Sequence, residues 1–163
     1  MVRMEVAHLG LDRSSNTPVV VLKEQAGDRV LRIFIGAPEA AAAIALEMRG
    51  ESPPRPMTHD LLKHLLAGLG GTLRRVTITG LKDNTYFAEL LVYRGEQIVE
   101  IDARPSDGIA LALRTDAPIF VSDEVLVGDG SEPGAGLPTE SDADQLKKFL
   151  SKLDPEDLGR FHP

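Results

Sequence analysis

The chain has 163 residues, 42% hydrophobic and 26% charged, the profile of one globular domain with a buried core rather than of a disordered or membrane-spanning protein. It contains no cysteine, which excludes disulfides, thiolate catalysis and cysteine-ligated zinc and leaves carboxylates, imidazoles or backbone oxygens as metal ligands. A net charge of −7 argues against a protein that coats nucleic acid, yet 11 of the 14 basic residues in 1–128 are arginine, the side chain suited to forked contacts with phosphate.

The chain opens with Met1-Val2-Arg3-Met4-Glu5, which runs into a strand rather than a signal peptide, and no apolar run reaches membrane length, so a cytoplasmic protein is expected. Alternation in Val2 to Leu11, the β-branched run Pro18 to Leu22 and the segment Arg29 to Ile35 predict three strands, with a hairpin turn at Ala26-Gly27-Asp28. Pro38 and Glu39 predict a helix start, and Gly50 closes that helix after Met48. Pro53-Pro54-Arg55-Pro56 is a stiff extended linker. Thr58 is the expected N-cap of a helix Asp60 to Leu69, with Met57 and Leu62 placed as a hydrophobic staple and Gly70-Gly71 at its end. Leu61, Leu62, Leu65, Leu66 and Leu69 give that helix one apolar face.

Strands are expected again at Leu73 to Thr79, Thr85 to Tyr93 and Gln97 to Ile101, then a helix Pro105 to Arg114 and a short strand Pro118 to Val121. Gly and Pro crowd residues 128–138 as in a linker, and Ser141 to Leu153 reads as an amphipathic helix with Leu146, Phe149, Leu150 and Leu153 on one stripe. A shift of 68 positions aligns Asn16-Thr17 with Asn84-Thr85, Leu22 with Leu90, Gly27-Asp28 with Gly95-Glu96 and Ile33 with Ile101; Pro38 meets Pro105 after a one-residue slip. The pattern predicts an α+β fold of two duplicated β-β-β-α units, about 1–50 and 72–115, sharing one curved, largely antiparallel or mixed sheet with helices packed against it.

The duplication allows its two strand-to-helix joins to be compared. Ile33-Phe34-Ile35-Gly36-Ala37-Pro38-Glu39 is mostly apolar, whereas Ile101-Asp102-Ala103-Arg104-Pro105-Ser106-Asp107 is densely polar. Asp107 in a first turn would favour the helix dipole by roughly 0.3–1 kcal/mol, and Arg104 could pair with either acid for the fold alone. The first join shows that Pro and Glu suffice to start a helix, so something further is asked of the second. Another polar cluster, Arg55, Thr58, His59 and Asp60, stands at a second helix start, and helix N-termini are natural anion seats. Asp60 is also a good first-turn acid, and a lone histidine such as His59 is more often a surface residue than a ligand. His64 lacks the i, i+4 spacing from His59 of a metal helix, while His8 and His162 are weaker candidates still. Asp83 in the turn Asp83-Asn84-Thr85 is first of all a turn residue, with an oxygen ligand as its alternative role. No serine triad, phosphate loop, dinucleotide fingerprint or nucleic-acid helix motif is present.

These segments resemble the bifunctional nuclease domain, or BFN domain, family. The resemblance covers roughly residues 1–128 and rests on Ile35-Gly36-Ala37-Pro38-Glu39-Ala40, Arg55-Pro56-Met57-Thr58-His59-Asp60-Leu61-Leu62, Asp83-Asn84-Thr85-Tyr86-Phe87-Ala88, and Asp102-Ala103-Arg104-Pro105-Ser106-Asp107-Gly108-Ile109-Ala110-Leu111-Ala112-Leu113. It implies cleavage of DNA and RNA. Residues 129–163 lie outside the resemblance. The leading expectation is a metal-assisted nuclease in which Asp102, Asp107 and Asp60 hold Mg²⁺ or Mn²⁺, and His59 is general acid or base. Arg55, Arg104 and Ser106 would bind the substrate phosphate. The competing expectation is a non-enzymatic binding or regulatory module that uses the same cluster as an anion seat or subunit interface. Exposed strand edges in a small β-rich domain also predict a homo-oligomer.

Overall fold

A computed structural model describes residues 1–128 and 140–152. Strands β1 (Val2–Asp12), β2 (Thr17–Glu24) and β3 (Val30–Phe34) form an antiparallel meander that leads into helix α1 (Pro38–Met48). After helix α2 (Thr58–Gly68) the same sequence of elements recurs: β4 (Gly71–Lys82), β5 (Thr85–Arg94) and β6 (Gln97–Ala103) form a second meander that leads into α3 (Pro105–Thr115). The three-residue strand β7 (Ile119–Val121) lies antiparallel to β1 and parallel to β4, giving one seven-stranded mixed sheet in the order β3-β2-β1-β7-β4-β5-β6. The fold is α+β, with each meander followed by an 11-residue helix.

Turn chemistry explains the hairpins. Asp83 and Asn84, at φ of 50° and 57°, make the two-residue turn between β4 and β5, where the twist of the strands favours two left-handed residues. Gly50 and Gly70, both at positive φ, end α1 and α2, and the N–H of each bonds back into its helix. Alternate residues of the strands point to one buried layer. Val20, Leu22, Leu31, Ile33, Val76, Ile78 and Val121 meet Ala40, Ala41 and Ile44 of α1 and Ile109, Ala110 and Ala112 of α3 in one continuous core. Gly108 brings α3 onto this layer so closely that a Cβ there would stand 2.8 Å from Val76 Cγ1.

Helix α2 departs from sequence expectation, a further helix adds to it, and the C-terminal helix agrees with it. Helix α2 begins at Thr58 itself, because Asp60 accepts the Met57 N–H at 2.8 Å and makes Met57, not Thr58, the capping position. Met57 and Leu62 are both exposed rather than stapled, and of the apolar residues of α2 only Leu66 packs towards the core. A short helix α4 (Asp123–Gly128) follows β7, started by Ser122, whose carbonyl accepts the Val125 N–H at 3.1 Å. The amphipathic C-terminal helix is α5 (Glu140–Lys152), which packs on β1 with Leu146 buried. The expected linker over 129–138, Leu153 and His162 lie outside the described residues. No described helix is long and apolar enough to cross a membrane.

Candidate functional site

The two joins can be compared atom by atom. Ala37 and Arg104 are the N-caps of α1 and α3, both in extended conformation, and neither makes a side-chain cap hydrogen bond. The polar residues of the second join are therefore not spent on capping. They reach outward instead. Arg104 donates from Nε to Asp107 Oδ2 at 2.6 Å and from Nη2 to Asp107 Oδ1 at 3.0 Å, a forked pair, and Nη2 also reaches Glu39 Oε1 of α1 at 3.2 Å. Asp107 Oδ1 also accepts from His59 Nε2 at 3.0 Å, the tautomer that a carboxylate acceptor requires. His59 is 3% exposed. The starts of α1, α2 and α3 are thus joined in one chain, Glu39–Arg104–Asp107–His59.

A second link lies one residue along α2. Arg114, with a side chain only 3% exposed, donates from Nε to Asp60 Oδ1 at 2.7 Å and from Nη1 to the Ala110 carbonyl at 3.0 Å. The other oxygen of Asp60 is the one that accepts the Met57 N–H. Burial raises the pKa of Asp107, but hydrogen bonds from His59 and Arg104, with the Arg104 charge, outweigh it and hold the carboxyl at about 2. Asp60 is lowered first by the Met57 N–H, against desolvation, and then by Arg114 and the nearby His64.

The remaining sequence candidates separate into two groups. Asp102 stands opposite Glu89 in the β5–β6 ladder, while Ala88, Leu90 and Val92 face the core. Alternation therefore puts Asp102 on the sheet face turned away from the helices, exposed, without a hydrogen bond or ion pair among the described residues. Arg55 is also exposed and unpaired among the described residues. Asp83 is a turn residue whose carbonyl accepts the Thr85 hydroxyl. Ser106, by contrast, is buried to 7% exposure beside Arg104 and lines a cleft of about 270 Å³. Ile35, Gly36 and Ala37 of the first join, Asn84, Thr85 and Tyr86 of the β4–β5 hairpin, and Arg104, Pro105 and Ser106 of the second join surround this cleft, with Phe34 at its edge. Sequence reasoning named neither Arg114 nor the pair Phe34 and Tyr86. Arg114 carries no local signal, since its partner lies 54 residues away; Tyr86 sits inside one motif segment and Phe34 directly precedes another, so both could have been flagged there.

The arrangement has definite chemical limits. Asp60, Asp107 and Glu39 are each tied to an arginine, Asp102 lies on the opposite sheet face, and among the described residues no group of three or more His, Asp or Glu side chains could hold a metal ion. Asp102 is thus separated from Asp60 and Asp107, and the described residues assemble no divalent-metal donor set from the three. What the site offers is a partly exposed guanidinium whose Nη1 is unpaired among the described residues, the N–H and hydroxyl of Ser106 in the first turn of α3, likewise unpaired among them, and an apolar cleft wall.

Comparison with known proteins places these segments in context. The family described as "Bifunctional nuclease domain" matches residues 20–133. An uncharacterized protein of Mycobacterium tuberculosis is 40% identical over 169 residues, spanning 97% of this chain and 98% of its own length. "Bifunctional nuclease 1" of Oryza sativa is 26% identical, covering 94% of this chain and 47% of the rice protein, and "Bifunctional nuclease 1" of Arabidopsis thaliana is 28% identical, covering 69% and 36%. The chain spans about half or less of each plant protein. Three of the four segments that carried the resemblance line one cleft, and the fourth is bonded to it through His59. The chain belongs to the bifunctional nuclease domain family.

Proposed function

We propose that this protein hydrolyses phosphodiester bonds of single-stranded nucleic acid in the cleft between its two joins. The observation that carries the reading is the convergence of the family segments on that cleft beside Arg104 and Ser106. Arg104 Nη1 and the Ser106 N–H and hydroxyl would hold the phosphate and stabilise charge on the transition state, and Phe34 and Tyr86 would offer ring faces to an unpaired base. Asp107, ionised at neutral pH, fixes the plane of Arg104 and is a weak proton acceptor there. His59 is too buried to touch a substrate and acts as a positioning residue through Asp107.

A second reading, a binding module without hydrolysis, draws on the same cluster. Both arginines of the network are already paired with acids, and no unpaired general base lines the cleft among the described residues. One experiment separates the two readings: cleavage and binding of single- and double-stranded DNA and RNA by the full chain with Mg²⁺, with Mn²⁺ and with chelator. The hydrolase reading expects cleavage of single strands and a loss of about 100-fold in Arg104→Gln, the scale of losing one transition-state donor. Asp102→Asn, on the far face of the sheet, should cut like wild type. Binding of oligonucleotides without cleavage would establish the second reading instead, and cleavage undiminished in Arg104→Gln would remove the cleft from the chemistry.

A further inference from the structure

Helix α2 is built inside out. Its polar residues His59 and Asp60 face the body and are tied to Asp107 and Arg114 of α3, whereas Met57, Leu61, Leu65 and Leu69 face solvent at 38–66% exposure. A helix that serves only its own domain places these classes the other way round. The four apolar residues recur every fourth position, Leu61 and Leu65 within the helix and Met57 and Leu69 at its caps, and they follow one ridge inclined to the axis and flanked by the exposed Leu62. At the C-terminal end of the ridge the surface continues onto the sheet. A Cβ on Gly71 would meet both Leu66 and Val92, Val92 stands opposite Val99 in the ladder, and Val99 and Ile101 are themselves exposed on the helix-bearing face of the edge strand β6.

We infer that a second copy of this chain docks on this ridge, with α2 of one protomer crossing α2 of its partner about a two-fold axis. Three features select a copy of the chain itself. An i±4n ridge is self-complementary, because two such ridges interdigitate at a crossing angle of about −50° in the commonest mode of helix packing, and a two-fold axis presents the same patch on both sides. The ridge with Leu62 exposes on the order of 400 Å² of apolar surface, close to the apolar share of the ~800 Å² that each partner gives a standard interface. The ridge also carries no charge of its own, so a copy can meet it without opposing like charges at its centre. The outer face of β6 is unsuited to that role, because Glu100 and Asp102 line it next to Glu89.

Sedimentation of the full chain tests this. Wild type should sediment at about twice 17.6 kDa at micromolar concentration, and Leu61→Glu/Leu65→Glu at 17.6 kDa with an unchanged circular dichroism spectrum, since both side chains are already exposed and support no core. Ile98→Glu, at an apolar residue on the opposite face, should keep the wild-type mass. A wild type that stays at 17.6 kDa up to several hundred micromolar would overturn the inference, whether the ridge is then bare or covered by another part of the chain or a different protein. So would a folded double variant that retains the wild-type mass. The result is independent of nuclease activity, since Leu61 and Leu65 line neither the cleft nor the network.

Discussion

The two strand-to-helix joins do the same backbone work with different side chains. At the first, Gly36 and Ala37 lead to a helix that packs through alanines and Ile44, and Glu39 is its sole contribution to the polar network. At the second, Arg104 and Asp107 begin a helix that packs through equivalent apolar residues and, in addition, holds α2 through His59 at one end and Asp60 at the other. A repeat needs one join only for architecture. The other is free to acquire polar residues, and here they attach a helix that has almost no apolar anchorage of its own.

That contrast predicts a graded set of losses. The largest should come from Arg114→Ala, which leaves Asp60 partly buried without its cation; we expect about 3 kcal/mol in urea denaturation. The equivalent position of α1, after the one-residue slip, is Glu47, which takes part in no such pair among the described residues. A loss below 0.5 kcal/mol in Arg114→Ala would show that α2 is held by other means.

Asp107→Asn should cost about 2 kcal/mol near neutral pH, and Glu39→Gln at the exposed end of the network less than 1 kcal/mol. The Asp107 part depends on pH with a definite sign. A carboxyl ordinarily near 3.8 and held at about 2 in the folded protein contributes stability that is fully present above pH 4 and is lost as pH falls towards 2. Wild type and Asp107→Asn should therefore converge in stability over that window; a constant gap between them from pH 6 to pH 2.5 would remove the charged pair as the cause.

The smallest effects concern how closely each helix approaches the sheet. Gly108→Ala must push Val76 Cγ1 away from a contact of 2.8 Å, and the strain should outweigh the helix-propensity gain for a net cost of about 1–2 kcal/mol. Gly36→Ala, where no atom lies within 4 Å of the new methyl, should change stability by less than 0.5 kcal/mol. Thermal melts of the two variants side by side would reverse this reading if Gly36→Ala proved the more damaging.

Most of the fold was legible in the sequence because its signals are local. Asn84, Gly95 and Gly50 mark chain reversals, β-branched alternation marks the strands, and the 68-residue shift exposes the repeat. The second join stood out as unusually polar because its twin supplied a baseline. Two things were not legible. The stripe Leu61-Leu65-Leu69 gives helical period but no direction, and only the pairs His59–Asp107 and Asp60–Arg114, separated by 48 and 54 residues, decide which way α2 faces. Asp102 and Asp107 are near neighbours in sequence, yet a strand ends and a helix begins between them, which sends the two carboxylates to opposite sides of the sheet. Spacing alone cannot register that change of direction.

Strand β7 has a consequence for how the molecule is made. The two meanders share no ladder of their own; the sheet runs from one to the other only through Ile119, Phe120 and Val121, which pair with β1 on one side and β4 on the other. During synthesis both meanders leave the ribosome before these three residues do. Until Ile119–Val121 is in place, β1 and β4 each present an unpaired edge, and this three-residue insertion closes both at once.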